Sequence, residues 1–185
     1  MIFDFIEIKT VYTILHLFGI AIGAGGVFFS DLVFFKSIKD GKLSSTEFGF
    51  MELGSKMVWA GLAVLVISGA LLFSLDPDKY LASSKFLAKI TIVAVIIANG
   101  IFLHLKYIPK FKKAVREGEM QIGEYIKSNP LLLVSGVVSA VSWSSAIILG
   151  AFRGIPYSYW MILDVYVGVV LFGTVFVLLF KRRIL

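Results

Sequence analysis

No cysteine occurs among the 185 residues. That absence excludes a disulfide-stapled scaffold, thiolate zinc sites, iron–sulfur clusters, CxxC redox chemistry and thiol nucleophiles. Histidine is nearly as scarce, with two in the whole chain, so most catalytic triads and multi-histidine metal schemes lack parts. Charged residues make up only 16%, too few to cover a water-soluble surface. The sequence has no GxxxxGK phosphate loop, no GxGxxG opening a helix, no HExxH and no serine-hydrolase elbow. Hydrolase and nucleotide-driven activities are thereby set aside. Internal repeats and low-complexity tracts are missing as well.

What the chain does have is apolar length. Hydrophobic residues make up 58%, and the mean hydropathy is +0.92. Five stretches each meet the roughly 20 residues that a helix needs to cross hydrocarbon. They run from Thr10 to Phe35, Phe48 to Leu75, Leu81 to Tyr107, Pro130 to Arg153 and Tyr159 to Phe180. Helices are required because a lone strand cannot satisfy its backbone in lipid. Barrel strands would alternate in polarity, and the run Ile90-Thr91-Ile92-Val93-Ala94-Val95-Ile96-Ile97 does not. The first stretch is too long for a signal-peptide core and opens on acidic residues, Asp4 and Glu7, so it reads as a retained helix. The expectation is a single all-α domain, residues 1–185: a polytopic five-helix bundle of the cell (inner) membrane.

Net charge is +6. In a membrane protein that excess speaks for orientation and anionic-lipid contact rather than nucleic acid. Most of the 18 Lys and Arg lie on the side opposite the N-terminus, in the segments around 36–42 and 106–127 and at the C-terminal end. The N-terminal side holds only Lys9, Lys79, Lys85, Lys89 and Arg153. Positive-inside bias then predicts an external N-terminus and a cytoplasmic C-terminus. The longest connection, residues 108–129, is strongly basic. Its Phe111, Val115, Ile122 and Ile126 recur at helical spacing, which suits an amphipathic interfacial helix, although Gly118 and Gly123 suit a solvated loop.

Ionisable groups inside a spanning helix are costly, and each is a functional candidate. Sorted by depth, they form two layers. Near the N-terminal side lie His16, Lys89, Asp164 and, at the end of the fourth stretch, Arg153; near the basic side lie Asp31, Glu52, Lys56 and His104. His16 and Asp31 are fifteen residues apart, as are Lys89 and His104, so each pair spans roughly 22 Å along its helix. The two histidines therefore sit at opposite faces and cannot hold one haem between them. His16 and Lys89, by contrast, are expected at the same height. His16, Gly19, Gly23, Gly26 and Ser30 share a face of the first helix. A stripe of small residues below a histidine admits either a flat ligand or the backbone of a neighbouring helix through GxxxG packing. Ser135, Ser139, Ser142 and Ser145 form a similar stripe on the fourth helix, best read as packing. Each charged group also has a plain reading: Lys89 can snorkel, Asp164 can neutralise Arg153 or Lys89, and Asp31 and Glu52 can face Lys36 and Lys56.

The stretch His16-Leu17-Phe18-Gly19-Ile20-Ala21-Ile22-Gly23-Ala24-Gly25-Gly26 resembles the first helix of the CopD/HemJ-like integral membrane proteins. That group includes the copper-resistance D domain and the HemJ-type protoporphyrinogen oxidase. Val64-Leu65-Val66-Ile67-Ser68-Gly69 resembles their second helix, and Phe86-Leu87-Ala88-Lys89-Ile90-Thr91-Ile92-Val93, closing with Tyr107-Ile108-Pro109, their third. The likeness covers residues 10–110 and fades beyond. It implies haem b, with the first-helix histidine and third-helix lysine as key residues, which here are His16 and Lys89.

Three functional expectations follow. The first is a haem-binding oxidoreductase or electron-transfer protein. Its iron would be held by His16 near the external face, with Lys89, Gly19, Gly23, Asp164 and Arg153 around the cofactor. A membrane-soluble quinone or a porphyrin would be its redox partner, and a homo-oligomer is compatible with it. The second is a divalent metal or other cation transporter using Asp31, Glu52 and His104 as oxygen and imidazole ligands. The third is a non-catalytic assembly subunit whose polar layers fix helix register.

Overall fold

Glycine and serine set the ends of the first two spans. The computed structural model describes residues 7–118, 120–152 and 154–184. Helix α1 (Ile8–Asp40) stops where Gly41 turns left-handed (φ 76°) and its N–H bonds the Ile38 carbonyl. That conformation costs glycine little and any other residue more. A two-residue strand, β1 (Lys42–Leu43), follows. Ser44 then opens α2 (Ser45–Ser74) with a capping box: Ser44 Oγ accepts from the Glu47 N–H at 3.2 Å, and the Ser44 N–H donates to Glu47 Oε2 at 3.0 Å.

A short helix precedes the third span, which lies within the expected stretch of Leu81 to Tyr107. Pro77 starts a five-residue helix, α3 (Pro77–Leu81), capped by Asp76. Ser83 caps the spanning helix α4 (Ser84–Lys106) by accepting from the Phe86 N–H at 3.3 Å. Beyond Tyr107, the connection at 108–129 is structured rather than a solvated loop. It forms α5 (Ile108–Arg116), a strand β2 (Met120–Gln121) and α6 (Ile122–Ser128). Strand β2 pairs antiparallel with β1, placing Leu43 opposite Met120 and Lys42 opposite Gln121. Helices α7 (Leu131–Ala151) and α8 (Tyr159–Ile184) complete the chain.

Among the described residues, five helices are long and apolar enough to span a membrane, and the protein is an all-α multi-pass bundle. Its outer surface agrees with lipid as solvent: Leu32, Leu105, Phe172 and Leu179 are each at least 70% exposed. An aqueous surface would not tolerate so many. Helix α8 is the most peripheral, with 11% of its apolar window buried against 33% in α7.

Two layers of core result. One runs through the spans around Trp143, Ile92, Leu62 and Ala24. The other caps the face opposite the N-terminus, where Leu43, Phe111, Ile122, Ile126 and Tyr107 are buried. The apolar positions of the basic connection thus point into the bundle, not into lipid. This cap ties α5 and α6 to the α1–α2 turn.

In lipid, helices gain little from hydrophobic contrast and associate through close packing and hydrogen bonds. The glycine stripe of α1 serves that purpose. A Cβ on Gly19 would lie 2.7 Å from the Leu65 amide nitrogen, and one on Gly26 would lie 2.7 Å from the Gly54 carbonyl. Gly54 and Gly61 of α2 return the contact, Gly61 against the Gly23 backbone. Gly23 also admits the indole of Trp143, the side chain that joins α1 to α7. Polar pairs knit the remaining spans. Ser135 Oγ donates to Asn99 Oδ1 at 2.6 Å while Asn99 Nδ2 donates to the Ser135 carbonyl at 3.0 Å. Ser142 and Tyr166 share a hydrogen bond of 2.8 Å, and Thr91 and Tyr159 one of 3.0 Å. Of the four α7 serines, Ser135 and Ser142 therefore act in helix packing.

Candidate functional site

Helix α1 turns His16 toward α2. Ser68 Oγ lies 2.6 Å from the Val64 carbonyl and 3.1 Å from His16 Nδ1. The hydroxyl has one proton, and the short bond to Val64 takes it, so Ser68 accepts from an Nδ1–H. This network assigns the Nδ1–H tautomer and leaves a lone pair on Nε2. The ring also lies against Gly69, where an added Cβ would be 3.5 Å from Cε1. A side chain larger than alanine at position 69 would crowd the imidazole.

Lys89 reaches the same level from α4. Its charge acts on His16, and its Nζ stands 3.8 Å from where a Cβ on Gly150 of α7 would be. One turn nearer the membrane face, Lys85 Nζ donates to the Phe152 carbonyl at 2.5 Å, tying α4 to the end of α7. Phe73, Tyr80 and Phe86 cluster on the same side, with Phe73 and Phe86 stacked at 5.7 Å. The structure thus brings His16 of α1 against Ser68 of α2, while Lys89 of α4 stands beside Gly150 of α7.

Other residues expected beside them are placed elsewhere. Gly19 and Gly23 are filled by α2 and Trp143, so no flat ligand lies along the stripe; its role is helix packing. Asp164 is exposed on α8. Ile162 and Tyr166 face the core, and a residue two positions from each is turned about 200° away at 100° per residue. Ser68, not Asp164, orients His16. Arg153 lies outside the described residues. Ser68 was the residue missing from the sequence reading; its signal was a serine preceding Gly69 at the level where α2 crosses His16.

The basic-side layer is arranged differently from the expected metal cluster. Asp31 and His104 line a cavity of about 150 Å³ between α1, α2, α4 and α7. Met51 and Ser55 of α2 line it too, so Glu52 and Lys56, each one residue further on, are rotated by about 100°. They leave the cavity and pair with each other at 3.8 Å on the surface. Among the described residues, no three His, Asp or Glu side chains group to hold a metal ion. Asp31 and His104 thus share the cavity, and Glu52 stands apart from them.

A haem needs an imidazole with a free nitrogen and room beside it. His16 supplies the first, in the tautomer that second-sphere hydrogen bonding selects in metal-ligating histidines. The donor chemistry fits an axial ligand. The cavity near Asp31 is at the opposite face from His16 and below the roughly 300–1,000 Å³ typical of pockets for larger ligands, so that cavity is not the haem site. Comparison with family models, curated proteins and solved structures finds no match to this chain.

Proposed function

We propose that this protein is a b-type haem protein of the cell (inner) membrane with an electron-transfer or oxidoreductase role. Its basic face is in the cytoplasm and its N-terminus outside, following the distribution of Lys and Arg. The observation that carries this reading is the hydrogen-bonded placement of His16, with Nδ1–H held by Ser68 and the Nε2 lone pair left for a ligand. The resemblance of residues 10–110 to CopD/HemJ-like proteins supports the same cofactor.

His16 would hold the iron, and Lys89 would stand beside the bound group. Bound haem would supply one-electron chemistry. The chain's own contribution is to fix the imidazole. Ser68 anchors the ring to a carbonyl of α2, and Gly69 leaves space for it. The α1–α2 glycine interlock holds the two helices in register, so that the ring has little freedom to swing. The redox partner of this reading is a membrane-soluble quinone or porphyrin reaching the site through lipid.

Purification from haem-replete cells tests the proposal. The expected result is a Soret band in the wild type that is lost in His16→Ala and shifted in Lys89→Ala. A preparation without the band, or a band unchanged by His16→Ala, refutes it.

A further inference from the structure

The cavity on the basic side is assigned no role by the haem reading, and its walls are unusual for a membrane interior. Its one carboxylate is Asp31. Among the described residues no Lys or Arg pairs with Asp31, and the only influence resolved on this carboxyl is its burial. Ser30 Oγ, which has no hydrogen-bond partner among the described residues, is buried against Gly54 of α2 rather than open to this space. The remaining surface is apolar, with Trp59, Tyr107 and Trp143 set among aliphatic side chains such as Val58, Ile96 and Leu103. Trp143, 1% exposed, forms the inner end, and exposed His104 meets Trp59 edge-to-face at the rim, with ring centroids 6.5 Å apart.

A carboxylate removed from water and left without a cation is costly. A cation with an apolar body satisfies it in such a wall. Aromatic faces attract such a cation further. The volume of about 150 Å³ matches cavities that hold a benzene-sized molecule. A hard metal ion is poorly served here, because it needs six or more oxygens and the cavity offers one carboxylate in an apolar wall. A neutral apolar guest would leave Asp31 unpaired.

We propose that this cavity binds a small organic monocation, a primary or secondary amine with an aromatic or branched-alkyl body. Its ammonium sits on Asp31, and its body sits among Trp59, Tyr107 and Trp143. This site is separate from His16 and stands or falls without haem.

Two of the protein's three tryptophans line the cavity, so intrinsic fluorescence reports on it. Detergent-purified protein is titrated with benzylamine, and with toluene, benzyl alcohol and benzoate as probes of the same size. Saturable quenching by benzylamine alone, weakened at least about tenfold in Asp31→Asn and unchanged in Glu52→Gln, is the expected result. Gly136 also lines the cavity, and no atom lies within 4 Å of a Cβ added there. Gly136→Val should therefore fill the space and abolish quenching while Asp31 is intact, which guards against a misfolded Asp31→Asn. Toluene or benzyl alcohol binding as well as benzylamine would overturn the proposal, leaving only an apolar void beside a protonated acid. So would benzylamine binding that survives Asp31→Asn, or no saturable quenching by benzylamine in a wild type whose thermal unfolding is cooperative.

Discussion

The joint between Gly23 and Trp143 makes a quantitative claim about how the bundle is held together. The three atoms nearest to a Cβ on Gly23 all belong to the Trp143 indole, and each lies at or within 3.0 Å. Gly23→Ala must therefore displace a ring that is 1% exposed, an overpacking change of about 1–3 kcal/mol. Trp143→Ala alone removes the ring and leaves a void, at about 3–5 kcal/mol. In the double variant the new methyl enters space that the indole has vacated. Its steric cost disappears, and the combined destabilisation should fall short of the sum of the single effects by about 1–3 kcal/mol, within the range measured for contacting pairs. Gly19→Ala supplies the contrast: its nearest atom is the Leu65 amide nitrogen, with other backbone atoms of α2 beside it. Truncating Trp143 should not rescue it. Reversible unfolding in mixed micelles, followed by circular dichroism, measures all four terms. Strict additivity of Gly23→Ala and Trp143→Ala would refute the argument that α1 and α7 meet through this ring. Rescue of Gly19→Ala by Trp143→Ala would refute the argument that Gly19 is reserved for α2.

Further outcomes follow from the same geometry. Ser68→Ala should change bundle stability by less than about 1 kcal/mol, as isolated polar contacts between membrane helices usually do. Under the haem reading it should nonetheless lower haem affinity roughly 10–100-fold, the usual effect of losing an outer-sphere partner of a metal-ligating histidine; unchanged affinity in a haem titration would separate Ser68 from His16 function. Ser44→Ala removes the bond that Ser44 Oγ accepts from the Glu47 N–H and keeps the one its own backbone N–H donates to Glu47, and should cost about 0.5–2 kcal/mol, read in the same micelle titration. Tyr125, on α6, is held above the ordinary tyrosine range by burial and by nearby Tyr107, and its hydroxyl has no hydrogen-bond partner among the described residues. A raised folded value favours the protonated form, so stability is retained below about pH 10, the unfolded tyrosine value, and declines as pH rises through the folded value. Tyr125→Phe should remove that alkaline loss and leave stability at neutral pH equal or slightly higher; an unchanged alkaline profile counts against the burial argument.

The spans were legible because lipid demands long apolar runs, and nothing in the sequence interrupts them. The α1 glycines were legible too, as a face, yet their use was not. Gly19 and Gly26 recur at seven residues, as do Gly54 and Gly61, and the match between the two repeats identifies helix packing only once α1 and α2 are known to lie side by side. Depth alone placed His16 level with Lys89 and Asp31 level with His104. It could not say which way a side chain turns about its helix axis. That rotation separates Glu52 from the cavity its neighbour Met51 lines, and it takes Asp164 out of the core. Ser68 escaped notice for a related reason: a serine in an apolar helix has no periodicity of its own, and its role appears only when His16 meets it from another span.

The little ribbon joining Lys42–Leu43 to Met120–Gln121 has a consequence for biogenesis. Its two halves are separated by two complete spans, so during synthesis the first waits on the near side of the bilayer until the second has been made. The opening hairpin, welded through its glycines, can settle in the membrane by itself. The latch closes only after the third crossing has been threaded. A chain arrested before residue 120 should therefore hold a finished hairpin with an unfastened turn, and protease accessibility around Leu43 would report the moment of fastening.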